Sequence, residues 1–169
     1  RDLERLMATP PGTNVRGFLT DDEGELLSAL ACEAGNLGPV LEIGSWCGRS
    51  TMWLAQGAKL AGTVVLALDH HRGSEEHQPG EMFFDADLVD GDGRVDTLRE
   101  FRRNIAQAGV EDTVIPIVAG TQQANAILPH TLGMVFIDGG HSLEAALTDW
   151  RSVGHRVLPG GILAIHDVF

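Results

Sequence analysis

A chain of 169 residues with 43% hydrophobic content has the size of one globular domain and enough apolar material for a core. Its 24 acidic against 12 basic residues leave a net charge of -12, which repels a phosphate backbone and argues against nucleic acid as a partner. Two cysteines, Cys32 and Cys47, are too few for a disulfide scaffold and suit a reducing cytoplasm, and no run of about 18 apolar residues is present to span a membrane.

Residues 1–19 carry Pro10, Pro11, Gly12 and Gly17 without a sustained period and read as an irregular lead-in to a core over 20–169. Thr20 and Glu23 form a T-x-x-E capping box, and Leu26, Leu27, Leu30, Ala31 and Ala34 follow at helical spacing up to a stop at Gly35. Short apolar runs then alternate with helical patterns. Val40–Ile43, Val64–Leu68, Val114–Val118, Met134–Ile137 and Ile162–Ile165 are predicted as five buried parallel strands. Helices are predicted near Ser50–Lys59, Thr97–Ala108, Thr121–Leu128 and Ser142–Arg156, each connection being long enough for a right-handed crossover. The fold expected is a doubly wound, Rossmann-like α/β sheet. Residues 70–96 form a long, acidic, histidine-bearing connection, of a length that is usually functional or disordered. The chain begins at Arg1 and ends at Phe169 directly after an apolar run, so a fragment is expected.

In an open parallel sheet a ligand sits beyond the carboxyl ends of the strands, and all five predicted ends are chemically marked. The first is followed by LEIGSWCGRST, where Gly44 and Gly48 allow a sharp turn and a close backbone approach. The free amides of the next helix near Ser50 would welcome a ligand carboxylate. Asp69, after the second strand, is placed to accept hydrogen bonds from two ribose hydroxyls, although a solvated strand end would look the same. After the third strand, Gly120, Thr121 and Gln122 offer a turn, a hydroxyl and an amide to an adenine edge, with plain helix capping by Thr121 as the bland alternative. MVFIDGGHS and PGGILAIHDVF gather Asp138, His141, His166 and Asp167 on two strand ends that lie about 4.8 Å apart if neighbouring, within reach of one ion or one substrate oxygen.

Taken together these motifs resemble class I S-adenosylmethionine-dependent methyltransferases, and in detail the catechol-type and macrolide-type O-methyltransferases, over about Thr20 to Phe169. The resemblance implies that Glu42, Gly44, Ser45, Gly48 and Ser50 belong to the cofactor loop, with Gly44 and Ser50 facing the methionine end. It implies Asp69 at the ribose and Gly120, Thr121 and Gln122 at the adenine. In metal-dependent members an acid after the fourth strand and two residues after the fifth hold a cation, which maps onto Asp138, His166 and Asp167. His166 departs from the oxygen ligand usual there and would favour a borderline metal over magnesium, or none. His141 stands three residues after Asp138, where the catechol-type enzymes carry a lysine base, and an imidazole of pKa about 6.5 is a competent base at neutral pH. The two further strands that the family sheet carries after the fifth are absent from this sequence.

The function expected is therefore O-methylation of a small-molecule hydroxyl, with Asp138 and His141 as catalytic groups and a divalent cation as an option. A homo-oligomer is compatible with the sequence. His70, His71 and His77 could close over substrate or bind metal, or simply belong to a mobile surface loop; DGDGRVD does not match an EF-hand. Three other readings share the scaffold: an NAD-dependent oxidoreductase, disfavoured by Trp46 inside the loop, a non-catalytic cofactor-binding module, and a metal-dependent hydroxylase.

Overall fold

The protein is described here by a computed structural model covering residues 14–140 and 142–166. Among the described residues the first helix, α1 (Asp21–Gly35), starts at the capping box read from the sequence. Glu23 Oε2 accepts from the Thr20 amide at 2.8 Å while Thr20 Oγ1 accepts from the Glu23 amide at 3.4 Å. Asp21, Asp22 and Glu23 in the first turn complement the positive end of the helix dipole.

From there the chain runs β1 (Val40–Ile43), α2 (Arg49–Leu60), β2 (Val65–Asp69), α3 (Leu98–Ala108), β3 (Val114–Val118), α4 (Thr121–Ala124), β4 (Leu132–Ile137), α5 (Leu143–Val153) and β5 (Val157–Ile165). All pairings within the five-stranded sheet are parallel and the spatial order is β3-β2-β1-β4-β5. The chain leaves β1 in one direction and returns after β3 to its other side, so the crevice of the switch point opens beyond β1 and β4.

Side chains alternate across the sheet and build two cores. Val40, Val65, Ala67, Met134 and Phe136 pack with Leu27, Ala31, Met52, Leu54, Phe101 and Ile105 of α1, α2 and α3. Leu41, Ile43, Leu66, Leu68, Val135 and Ile137 pack on the other face with Ala124, Leu128 and Val153. Helices α1 and α2 touch through glycine: a Cβ on Gly57 would overlap the Ser28 carbonyl, and one on Gly24 the Trp53 indole.

Several expectations need correction. Among the described residues only β1, β2 and β4 are buried strands; β3 and β5 are edges, with Ile115 and Val118 exposed on β3, and edge positions tolerate Pro116 and Pro159. β5 begins five residues before the apolar run, because Pro159, Gly160 and Gly161 stay in the strand behind a register shift opposite Leu132 and Met134. The helix expected over Thr121–Leu128 is a single turn. The Arg156 guanidinium donates to the carbonyls of Asn125, Leu128 and Pro129, in the segment that follows that turn, at 2.8–3.0 Å. The helix expected to Arg156 closes at Val153, and Gly154–Arg156 tighten into a 3-10 turn.

The 70–96 connection is folded. It contains short 3-10 turns at Glu75–His77 and Ala86–Leu88, an antiparallel bridge between Val89 and Val95, and buried Leu88 and Val95. Among the described residues no helix is long and apolar enough to cross a membrane.

The α1–α2 contact yields a test of the packing. Gly57→Ala should destabilise the protein by about 1–3 kcal/mol, since backbone rather than a flexible side chain blocks the added methyl. Urea unfolding of the variant measures this, and an unchanged midpoint would show that the helices separate freely.

Candidate functional site

The turn after β1 is where the chain chemistry becomes demanding. Gly44 adopts φ +89°, and a Cβ there would overlap the carbonyl oxygen of Asp138 at the end of β4. Only glycine meets both conditions. Gly48, at φ +91°, caps α2 with a left-handed turn and faces Phe101. Trp46 between them is also left-handed, at φ 42°, and its amide donates to Asp69 Oδ2 at 2.7 Å. The other oxygen of Asp69 accepts from the His71 amide at 2.7 Å. Asp69 thus clamps the β1 turn to the end of β2, a role the sequence did not reveal, and still borders the cavity.

That cavity has a volume of about 600 Å³ and lies across the carboxyl ends of the strands, within the size range of small-molecule sites. Of the residues expected in the site, Gly44, Ser50, Asp69, Gly120, Thr121, Gln122, Asp138 and His166 line it. Glu42, Ser45 and Gly48 are not among its lining residues. Glu42 is fully buried, and the hydroxyls of Ser50 and Thr51 donate to its two oxygens at 2.5 Å each. Burial pushes its carboxyl up to about 8, so it is a largely neutral strut rather than a charged ligand contact. Burial likewise pushes the Cys47 thiol up to about 12 and leaves it inert.

At the far rim His166 Nδ1 lies 3.3 Å from Asp138 Oδ1, and its Nε2 lies 3.4 Å from Glu23 Oε1. The N–O separation of 3.3 Å suits two ligands sharing one ion as well as a direct ion pair. His141 and Asp167 lie outside the described residues, and among the described residues no group of three or more His, Cys, Asp or Glu is set to hold a metal.

The mouth of the cavity is aromatic. Phe18 stacks on Trp46 with ring centroids 5.8 Å apart, Phe83 meets Phe18 edge-on at 5.0 Å, and His77 leans on Trp46 at 5.2 Å. Of the three histidines in the 70–96 segment, His70 and His77 line the cavity, whereas His71 is buried at φ 59° with Nδ1 2.8 Å from Thr97 Oγ1. Arg16 joins the lead-in to this segment through Asp85 at 2.8 Å and Asp87 at 2.9 Å. Sequence reading missed these contacts because they join segments about 70 positions apart. It also missed Asp149, which lines the cavity from α5; the signal available was helical spacing from Ser142 through Ala145.

Comparison with known proteins places this geometry. The model of a family described as "Methyltransferase domain" matches residues 41–168, more than half of the chain. Among solved structures the chain is similar to cofactor-bound Rv0187 from MTB, with 24% identity, a TM-score of 0.64, and 96% of this chain and 63% of that chain covered. It is similar to the O-methyltransferase TomG of Streptomyces achromogenes in complex with SAM, with 18% identity, a TM-score of 0.63 and coverages of 96% and 60%. An O-methyltransferase from Bacillus cereus in complex with SAH matches at 23% identity and a TM-score of 0.60, with coverages of 95% and 63%. The chain therefore spans less than two thirds of the length of these structures, and at such identities they show a shared fold.

The buried Glu42 has a measurable consequence. A carboxyl whose pKa is about 8 when folded and 4.5 in its ordinary state holds an extra proton in the folded protein between those values, so its contribution to stability falls as pH rises through that window. Glu42→Gln has no such proton. Unfolding midpoints of wild type should fall relative to this variant between about pH 5 and pH 8; parallel curves would mean that Glu42 is ionised in place.

Proposed function

The chain belongs to the methyltransferase-domain family, and from that premise we propose that it binds S-adenosylmethionine in the cavity and transfers the methyl group to a hydroxyl of a small-molecule acceptor. One observation carries the reading: a single cavity joins Gly44 and the start of α2, Asp69 and Thr121 on one side to Asp138 and His166 on the other. A two-part site of this kind has room for a nucleoside cofactor and an acceptor together. Gly44 lines the cavity with backbone that carries no side chain, which lets a ligand approach it closely.

The first turn of α2 presents helix-terminal amides toward a carboxylate at Ser50. Asp69 uses one acceptor site on each oxygen for Trp46 and His71 and keeps further lone pairs for two ribose hydroxyls. Thr121 and Gln122 face the base. When bound, the cofactor supplies an electrophilic methyl on a sulfonium. The acidic walls contributed by Asp69, Glu75, Glu76 and Asp138 suit that positive charge. Phe18, Trp46 and His77 narrow the mouth and limit water. The protein's remaining tasks are to align the acceptor oxygen and to remove its proton. Asp138 and His166 orient the hydroxyl, and His141 takes the proton.

A divalent cation at Asp138, His166 and Asp167 is the second reading, favoured by the 3.3 Å separation of the first two; it would lower the hydroxyl's pKa at the same place. A cytoplasmic setting goes with the free thiols of Cys32 and Cys47.

Calorimetry should detect S-adenosylhomocysteine and not NAD. Asp69→Ala should weaken binding about tenfold to a hundredfold, and Asp69→Asn, which keeps one acceptor oxygen, by less. Binding of NAD in preference would overturn the reading. With an acceptor in hand, His141→Ala should lower turnover by about a hundredfold to ten-thousandfold at nearly constant cofactor affinity. Full turnover in that variant, with loss on EDTA treatment and recovery with manganese, would transfer the activating role to a cation. No turnover with any hydroxyl acceptor, together with intact binding, would mark a cofactor-binding module.

A further inference from the structure

Asp69 is held by a residue outside the cavity. His71 is not among the lining residues and is 2% exposed, yet its amide donates to Asp69 Oδ1 at 2.7 Å, while the Trp46 amide occupies Oδ2. The two amides engage both oxygens and so decide where the remaining lone pairs point. His71 is left-handed, at φ 59°, a conformation uncommon for a residue with a Cβ and kept only where the surroundings over-determine it.

Those surroundings centre on Thr97, 26 positions further along the chain. Nδ1 of the His71 ring lies 2.8 Å from Thr97 Oγ1, and the Thr97 amide donates to the His71 carbonyl at 3.2 Å. The ring also packs against Phe101, with centroids 5.2 Å apart. With ring and carbonyl anchored, rotation about the N–Cα bond of His71 is what sets the direction of its amide. Thr97 stands at the N-cap of α3, where a hydroxyl ordinarily accepts from the helix's own amides. It makes no such bond; the Asp96 carboxylate accepts from the Leu98 amide instead, at 3.0 Å. The fully buried Thr97 hydroxyl is therefore available to His71, and the pair shuts the 70–96 segment at its neck.

We propose that His71 is a positioning residue for the cofactor: pinned to Thr97, it keeps the Asp69 carboxylate turned toward the ribose hydroxyls. Discrimination for the ribose is then set in part by two residues that do not line the cavity. This role rests on the proposed binding of S-adenosylmethionine, and it ties the closure of the 70–96 segment to the grip on the cofactor. An aspartate can accept from the amide two positions on without help, so the side chain's contribution has to be separated from that local turn.

Calorimetry with S-adenosylhomocysteine and its 2′,3′-dideoxy analogue makes the separation. Wild type should bind the hydroxyl-bearing compound about tenfold to a hundredfold more tightly, the usual effect of hydrogen bonds to a charged group. His71→Ala, which releases the backbone from Thr97, should bring the ratio to within about threefold. His71→Asn tolerates the left-handed turn and puts an amide atom where Nδ1 stands, so it should retain most of the ratio. Thr97→Val removes the hydroxyl at nearly constant shape and should lower the ratio about threefold to tenfold, which decides the matter if the alanine variant does not fold. Variants that lose thermal stability but keep the wild-type ratio would make the His71–Thr97 pair a loop staple and overturn the proposal. Equal binding of both ligands by wild type would overturn it too, by removing the ribose contact. Failure of wild type to bind either ligand would take down the cofactor reading first, and this role with it.

Discussion

The cavity depends on one constraint: the chain turns left-handed at Gly44 while lying against the carbonyl of Asp138. That contact brings the end of β1 and the end of β4 together at the point where the sheet order reverses. Any side chain at position 44 would push the two strand ends apart, and the amides of α2 would no longer face the same space as Asp138. The cavity is thus a product of backbone packing first and of side-chain chemistry second.

Around this turn the supports are polar. Glu42 braces the start of α2 from behind through Ser50 and Thr51, and Asp69 braces the turn from the side through Trp46. Burial makes the two acids behave differently. Glu42, sealed from water, is held near neutral, whereas Asp69 faces the cavity and accepts two backbone amides. Two carboxyls in contact with the same loop therefore differ, one sealed behind it and one open to the cavity.

The lead-in and the 70–96 segment close the other side. Arg16 to Asp85 and Asp87, Arg49 to the carbonyls of Val15 and Leu19, and the contact of Phe18 with Trp46 and Phe83 join three stretches of chain into one rim. Partly exposed ion pairs contribute little stability each, so the aromatic contacts and the burial of Leu88 and Val95 are the better candidates for holding the segment folded. In the proposed reaction this rim defines which acceptors enter, while the strand ends define what is done to them.

Much of this was legible in the sequence because it is written locally. Apolar runs, the Thr20–Glu23 capping box and the glycines of the first turn carry their own geometry, and they located every strand and placed Gly44, Asp69, Thr121 and Asp138 at strand ends. What could not be read is what depends on distant partners. Arg156 holds the carbonyls of Asn125, Leu128 and Pro129, some 30 positions earlier, a contact no local pattern announces. The exposed faces of β3 and β5 follow from their places at the sheet edges, which strand order decides and apolar composition does not. Glu42 and Asp149 look like ordinary acids in the chain; their burial, and hence their chemistry, exists only once β1, β4 and α5 have packed. The sequence by itself determined the elements and the positions of the reactive groups, because local periodicity and turn chemistry need few neighbours. The tertiary structure alone decided which of those groups are neutral, which are clamped and which face the cavity, because desolvation and long-range hydrogen bonding are properties of the assembled fold.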